Sequence, residues 1–280
     1  MKTRVAVAAV AVPSLVAVLY LCPAWATALL MCAISALCAR ELAHAAGLGG
    51  ETFAIWPIAF AALTSAGAYT GVDGGALLTA MLLALSAAAF ARAAMLYGTP
   101  WRKSAGQIFC VIFAGAVLPW LLSSITRLRM MDGGQIYVLF PFVSAFVTDA
   151  GAYFTGMFLG KRQAFPAVSP KKTVEGCVGG AISGIIGVVL YGWLAARFTG
   201  VRVPLWALLV AGALGALATQ LGDLAFSFIK REYKIKDFGG MLPGHGGVLD
   251  RFDSMVFAAP TVYLALSAAH GNLHGSWFAI

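Results

Sequence analysis

The chain has 280 residues, of which 61% are hydrophobic and only 11% charged, with a mean hydropathy of +0.87. Soluble globular chains are roughly half apolar and a quarter charged, so this composition excludes an ordinary soluble domain and predicts a polytopic membrane protein. The formal charge of +8 comes from basic residues in short loops, which assigns it to membrane orientation and anionic headgroups rather than to nucleic acid.

In chain order, Lys2 and Arg4 precede an apolar run that ends in small residues near Ala24–Ala26, the outline of a signal peptide. Further apolar segments follow at once, so the run is read as a retained first helix. A span needs about 20 residues, and apolar segments fall at 5–21, 25–40, 53–71, 75–95, 105–125, 135–158, 177–196, 203–220 and 254–270. The expected fold is therefore an all-α polytopic membrane protein of about nine transmembrane helices. The 32 glycines suit close helix contact in lipid and the 11 prolines suit bent spans. The five cysteines form no CxxC pair, so neither disulfides nor a thiolate metal site is read.

With the N-terminus in the cytoplasm, 15 of the 19 Lys and Arg residues fall on that side and only Arg127, Arg129, Arg197 and Arg202 on the other. This is a strong positive-inside bias. It also puts the loops 160–176 and 221–253 on the same face of the membrane. Residues 1–130 read as transmembrane scaffold and 131–280 as the catalytic region, with no soluble domain and no evident repeat.

Asp149 lies inside the sixth span, where a carboxylate is expected to be functional or buried in a polar contact with Tyr153 one turn on. The loop after it carries Ser169, Lys171, Lys172, Thr173 and Glu175. The lysines suit phosphate and Thr173 suits a helix cap.

The stretch 223–253 is the most polar of the chain. Asp223, Ser227 and Lys230 stand at i, i+4 and i+7, which puts a carboxylate, a hydroxyl and an ammonium on one helical face. Lys230 and Arg231, with Lys234 and Lys236, make a basic cluster interrupted by Glu232 and Asp237. Paired glycines flank His245; Gly246 and Gly247 leave backbone N–H groups free to converge on an anion, or simply make a flexible loop. Asp250 and Asp253 share a face at the head of the last span, with Arg251 between them. Hard Mg²⁺ requires such carboxylates together with phosphate oxygens, and Asp223 and Asp250 would meet at one ion if their segments pack together.

The string from Ser227 through Lys230-Arg231, Lys236-Asp237, Pro243-Gly244-His245-Gly246-Gly247 and Asp250-Arg251 to Asp253 resembles the signature of the CTP:phosphatidate cytidylyltransferase (CDP-diglyceride synthase) family. The upstream Asp149-x-Gly-Ala-Tyr153 and Ser169-Pro-Lys-Lys-Thr-Val-Glu-Gly176 resemble it too. Val174 departs from it, where many members carry Trp. The resemblance implies transfer of a cytidylyl group from CTP to phosphatidic acid at the inner face of the cell membrane, in a homodimer, with Mg²⁺ held by Asp223 and Asp250 and room for a monovalent cation such as K⁺. Ser227, Lys230, Lys236, Asp237, His245, Arg251 and Asp253 are then expected at the reacting groups. Asp149, Tyr153, Ser169, Lys171, Lys172, Thr173, Glu175, Arg231, Gly246 and Gly247 are expected around the substrates. Two other readings remain open at this point: a CTP-dependent transferase or kinase acting on a polyprenol or other lipid alcohol, and a transporter of an anionic solute.

Overall fold

A computed structural model describes residues 2–48, 52–241 and 246–270, with side chains from residue 9 in the first stretch and residue 55 in the second. His245 lies outside the described residues.

Two helices, α1 (Lys2–Leu21) and α2 (Ala24–Ala43), turn about Cys22 and Pro23. A π-helical turn, His44–Leu48, extends α2 and contains Gly47 at φ 76°, a conformation that glycine adopts without strain. Next come α3 (Thr52–Thr70) and α4 (Gly74–Leu96). The following crossing is broken into α5 (Ala105–Ile112), a π-helical turn (Phe113–Val117), α6 (Leu118–Leu122) and α7 (Ser124–Met130). Pro119 has no N–H for the carbonyl four residues back, which shifts the ladder here. A short α8 (Gly134–Tyr137) leads into α9 (Phe140–Leu159). A hairpin, β1 (Gln163–Phe165) and β2 (Ser169–Thr173), connects it to α10 (Val174–Thr199). The chain then runs through α11 (Leu205–Glu232) and α12 (Leu249–Ala269).

Among the described residues, seven helical segments are long and apolar enough to cross a membrane. With α1 and α3, 20 and 19 residues long, they match the nine segments of the hydropathy reading, and the chain is a multi-pass membrane protein. Three boundaries differ in a way that bears on the site. α11 does not stop at the first charge but carries Asp223, Ser227 and Lys230 as a continuation of the span. α10 begins at Val174 and α12 at Leu249, so Asp250 and Asp253 stand on the first turn and a half of a span. The hairpin is an addition to an otherwise helical chain.

Contacts sort the helix ends into two sets. At one end, Glu41 of α2 meets the start of α12, Gln107 of α5 donates to the Ala46 carbonyl (2.9 Å), and Lys172 meets α11. At the other end, Arg129 donates to the Cys22 carbonyl (2.8 Å), Tyr191 to the Ile136 carbonyl (3.0 Å), and Tyr137 pairs with His270 (2.8 Å). This is the alternation an up-and-down bundle requires.

Two packings fix the site end. The buried face of α10 is Gly176, Gly180, Gly184, Val188, Gly192 and Ala195, one residue per turn. A Cβ at Gly180 would lie 2.8 Å from the Ala152 Cβ and 2.9 Å from the Thr148 carbonyl. Glycine is therefore what lets α9 and α10 touch. Between α2, α11 and α12, a core of Cys38, Leu42, Phe226, Phe238 and Leu249 is closed to solvent. Phe226 and Phe238 meet edge to face with ring centres 5.9 Å apart.

Candidate active site

The site has two connected parts. The outer part is a cleft of about 450 Å³. Asp149, Ala152, Tyr153, Gly156 and Met157 of α9 form one wall, and Gly176 and Cys177 of α10 with Gln220 and Asp223 of α11 form another. Ser169, Lys171, Lys172 and Thr173 of the hairpin close its polar end. Its size is in the range of small-molecule sites, and it combines an apolar wall with a charged mouth.

The hairpin reaches the cleft because several contacts hold it. Gln163 pairs with Thr173 and Phe165 with Ser169. Glu175 accepts the backbone N–H groups of Lys161 and Arg162 at 3.1 and 3.3 Å. The Thr173 hydroxyl accepts the Gly176 N–H at 3.1 Å and so caps α10. The Arg231 Nε donates to the Val168 carbonyl (3.2 Å), tying the hairpin to the end of α11. Thus Thr173, Glu175 and Arg231 shape the mouth of the cleft. Lys172 reaches across it to Asp223, Nζ to Oδ2 2.7 Å.

The inner part lies between α11 and α12. Ser227 donates to the Asp223 Oδ1 at 3.3 Å, joining the two parts along one helical face. One turn on, Lys230 sits 3.0 Å from Asp250 and 4.0 Å from Asp253, its Nζ also 5.5 Å from the Phe238 ring centre. The second oxygen of Asp250 accepts two backbone N–H groups, from Phe238 and Gly247, each at 2.9 Å. Asp253 accepts the Ser254 N–H at 2.7 Å. Gly222 lies against the backbone of Asp253 and Ser254, so α11 and α12 are in contact beside Asp223.

The glycine loop does converge N–H groups on anions, but the anions are the protein's own. Gly247 serves Asp250, while Val248 and Leu249 serve Glu41, at 3.0 and 2.8 Å. Gly246 has φ 82° and packs against Asp237 and Asp250. Lys236, Asp237 and Arg251 are exposed at the rim. Tyr233, just past α11, is pushed up to about 12 by burial and by Cys110 beside it, so it stays a protonated phenol at neutral pH.

Besides the apolar and glycine lining of the cleft, two polar side chains of the site were not found from the sequence. Gln220 donates to the Cys177 carbonyl (3.0 Å) and its own carbonyl takes the Lys172 ammonium (3.4 Å). Its one-turn spacing from Asp223 was the available signal. Glu41, buried at 8% exposure, falls just past the apolar segment 25–40, and nothing local to α2 marks it.

Asp223 and Asp250 are hard oxygen donors, the kind Mg²⁺ prefers. Each already has both oxygens engaged by lysine, hydroxyl or N–H groups. Among the described residues, no three His, Cys, Asp or Glu side chains gather closely enough to hold a metal ion. A divalent ion held here would have to displace one of these partners from a carboxylate oxygen and complete its shell with phosphate oxygens and water.

Comparison with known proteins agrees with this layout. Residues 2–269 match the model of the cytidylyltransferase family. A phosphatidate cytidylyltransferase of Staphylococcus saprophyticus is 44% identical over 133 residues, 48% of this chain and 50% of that protein. Its namesake in Bacillus subtilis is 42% identical over 142 residues, 50% of this chain and 51% of that one. In Staphylococcus aureus the figure is 41% over 135 residues, 48% and 50% of the two chains. The chain spans about half the length of the curated relatives it matches. The family match is far longer, running from α1 to the end of α12, and on it this chain belongs to the cytidylyltransferase family.

Proposed function

We propose that this protein is a phosphatidate cytidylyltransferase, using CTP and phosphatidic acid to make CDP-diacylglycerol and pyrophosphate. The observation that carries the reading is the amphiphilic cleft. Lysines and carboxylates face its mouth at one end of the bundle, and Ala152, Tyr153 and Met157 of a membrane-crossing helix form its wall. Such a site takes a molecule that is part lipid and part phosphate. The names of the relatives supply the nucleotide.

A phosphate oxygen of phosphatidate attacks the α-phosphorus of CTP, and the bond from that phosphorus to the bridging oxygen of the β-phosphate breaks. Pyrophosphate leaves with that oxygen. The nucleophile is already an anion, so no strong base is needed and alignment with charge neutralisation does most of the work. Lys171 and Lys172 at the cleft mouth meet phosphate oxygens, and Lys172 exchanges Asp223 for substrate as it does so. Lys230 keeps Asp250 and Asp253 compensated between α11 and α12. The proposed ions are Mg²⁺, held through Asp223 and Asp250 with substrate phosphates, and a monovalent cation such as K⁺; bound there, they offset triphosphate charge. The proposed setting is the cell membrane, with the N-terminus and the cleft mouth on the cytoplasmic side where CTP is found, in a homodimer.

The test is a detergent-micelle assay with CTP labelled at the α-phosphate and a panel of lipids. Label is expected in lipid only with phosphatidate and a divalent ion, and excess EDTA is expected to abolish it. Label entering a polyprenol but not phosphatidate would reject the reading.

A further inference from the structure

The N-terminal half of the chain sends one carboxylate into the site. Glu41 sits at the end of α2, more than 200 residues from the groups it binds, and is nearly closed to solvent. Its two oxygens take the N–H groups at the head of α12, that of Val248 just before the helix at 3.0 Å and that of Leu249, its first residue, at 2.8 Å. α12 has no side-chain cap of its own. A carboxylate there satisfies orphan donors and complements the helix dipole.

Glu41 also shapes the loop that enters α12. A Cβ on either Gly239 or Gly247 would collide with its carboxylate. The two glycines thus wrap the Glu41 side chain, one on each arm of the loop. The same two arms carry the N–H groups, Phe238 and Gly247, that hold Asp250 from either side. Asp250 in turn holds Lys230. The contacts form one series: Glu41 fixes the loop, the loop fixes Asp250, and Asp250 fixes the ammonium next to Asp253.

We propose that Glu41 is a positioning residue for catalysis, clamping the glycine loop and the head of α12 so that Asp250 and the Lys230 ammonium it pairs with are held in their places behind the cleft. The proposal rests on the cytidylyltransferase reading, and wild-type activity toward phosphatidate tests that reading separately.

Glu41→Gln keeps the size and one acceptor but turns an amide toward a donor N–H. Gly247→Ala retains the Glu41 carboxylate but pushes it out of position. Purified in detergent and shown folded by thermal melting, both variants are expected to lose kcat by about 100-fold, as sub-ångström to ångström misplacement of a reacting group does. KM for CTP should change by less than about threefold, because the clamp touches no residue of the outer cleft. A purely structural glutamate would instead lower the melting temperature and leave kcat per folded molecule intact. A kcat within threefold of wild type in both folded variants overturns the proposal. So does a loss confined to KM, and so does failure of both variants to fold, which would assign Glu41 to bundle assembly alone. Absence of wild-type activity would count against the function and not the clamp.

Discussion

Lys172 and Lys230 each hold a carboxylate that an anionic substrate would otherwise meet unshielded. The two pairs differ in setting. Lys172 and Asp223 are partly exposed, at 22% and 33% of their side chains, so the lysine can leave its partner when phosphate arrives. Lys230 and Asp250 are 15% and 3% exposed and form a built-in part of the α11–α12 seam. Breaking a buried pair from one side costs about 3–5 kcal/mol, so Asp250→Asn is expected to lower the melting temperature measurably while the protein still inserts. Turnover of this variant should fall by about 100-fold or more, since the carboxylate that positions Lys230 and is proposed to hold the ion is gone. Activity near that of wild type would remove Asp250 from the reaction. At this scale the sequence was informative wherever partners share a helix. The i, i+4 relation of Asp223 and Ser227 and the i, i+3 relation of Asp250 and Asp253 both hold. It was silent about Glu41, whose partners are two hundred residues away and are backbone groups that any sequence would offer.

The helices and their contacts explain why the cleft lies where it does. α9 and α10 approach through glycine, so the hairpin between them is drawn against α11 and the lysines of β2 are carried to Asp223. Gly180→Ala places a methyl against a backbone carbonyl that cannot rotate away. Overpacking of this kind costs about 1–3 kcal/mol, and a lower melting temperature in detergent is expected, with a proportional loss of folded protein. Gly106→Ala is the control: its Cβ meets nothing nearer than 3.9 Å, and melting should be unchanged or slightly higher. An unaltered melt for Gly180→Ala would mean that α9 and α10 do not pack this closely. Hydropathy located the spans because lipid imposes it on every crossing helix. It missed the hairpin, whose strands of three and five residues carry Pro170 and two lysines and show no apolar alternation. It also ended the span at residue 220, just before Asp223, because charge normally marks the end of a span; here the Asp223 carboxylate is met by Lys172 and the Ser227 hydroxyl, and the helix runs on to Glu232.

Across the whole molecule, the site belongs to one end of the bundle and to both halves of the chain. α9, α10, the hairpin and α11 make the cleft; α11, α12 and α2 make the carboxylate cluster behind it. Only an even number of crossings between the end of α2 and the start of α12, and paired crossings by α10 and α11, bring these ends together, which is why the regular alternation of spans matters to the chemistry. The central claim is that this end transfers a cytidylyl group, not a phosphate, to phosphatidate. Parallel reactions with CTP labelled at the α- or the γ-phosphate separate the two most directly. The α-label is expected in chloroform-soluble lipid and the γ-label only in the aqueous phase, as pyrophosphate and unreacted CTP; γ-label in the lipid, or α-label that never leaves the aqueous phase while phosphatidate and Mg²⁺ are present, would contradict the account.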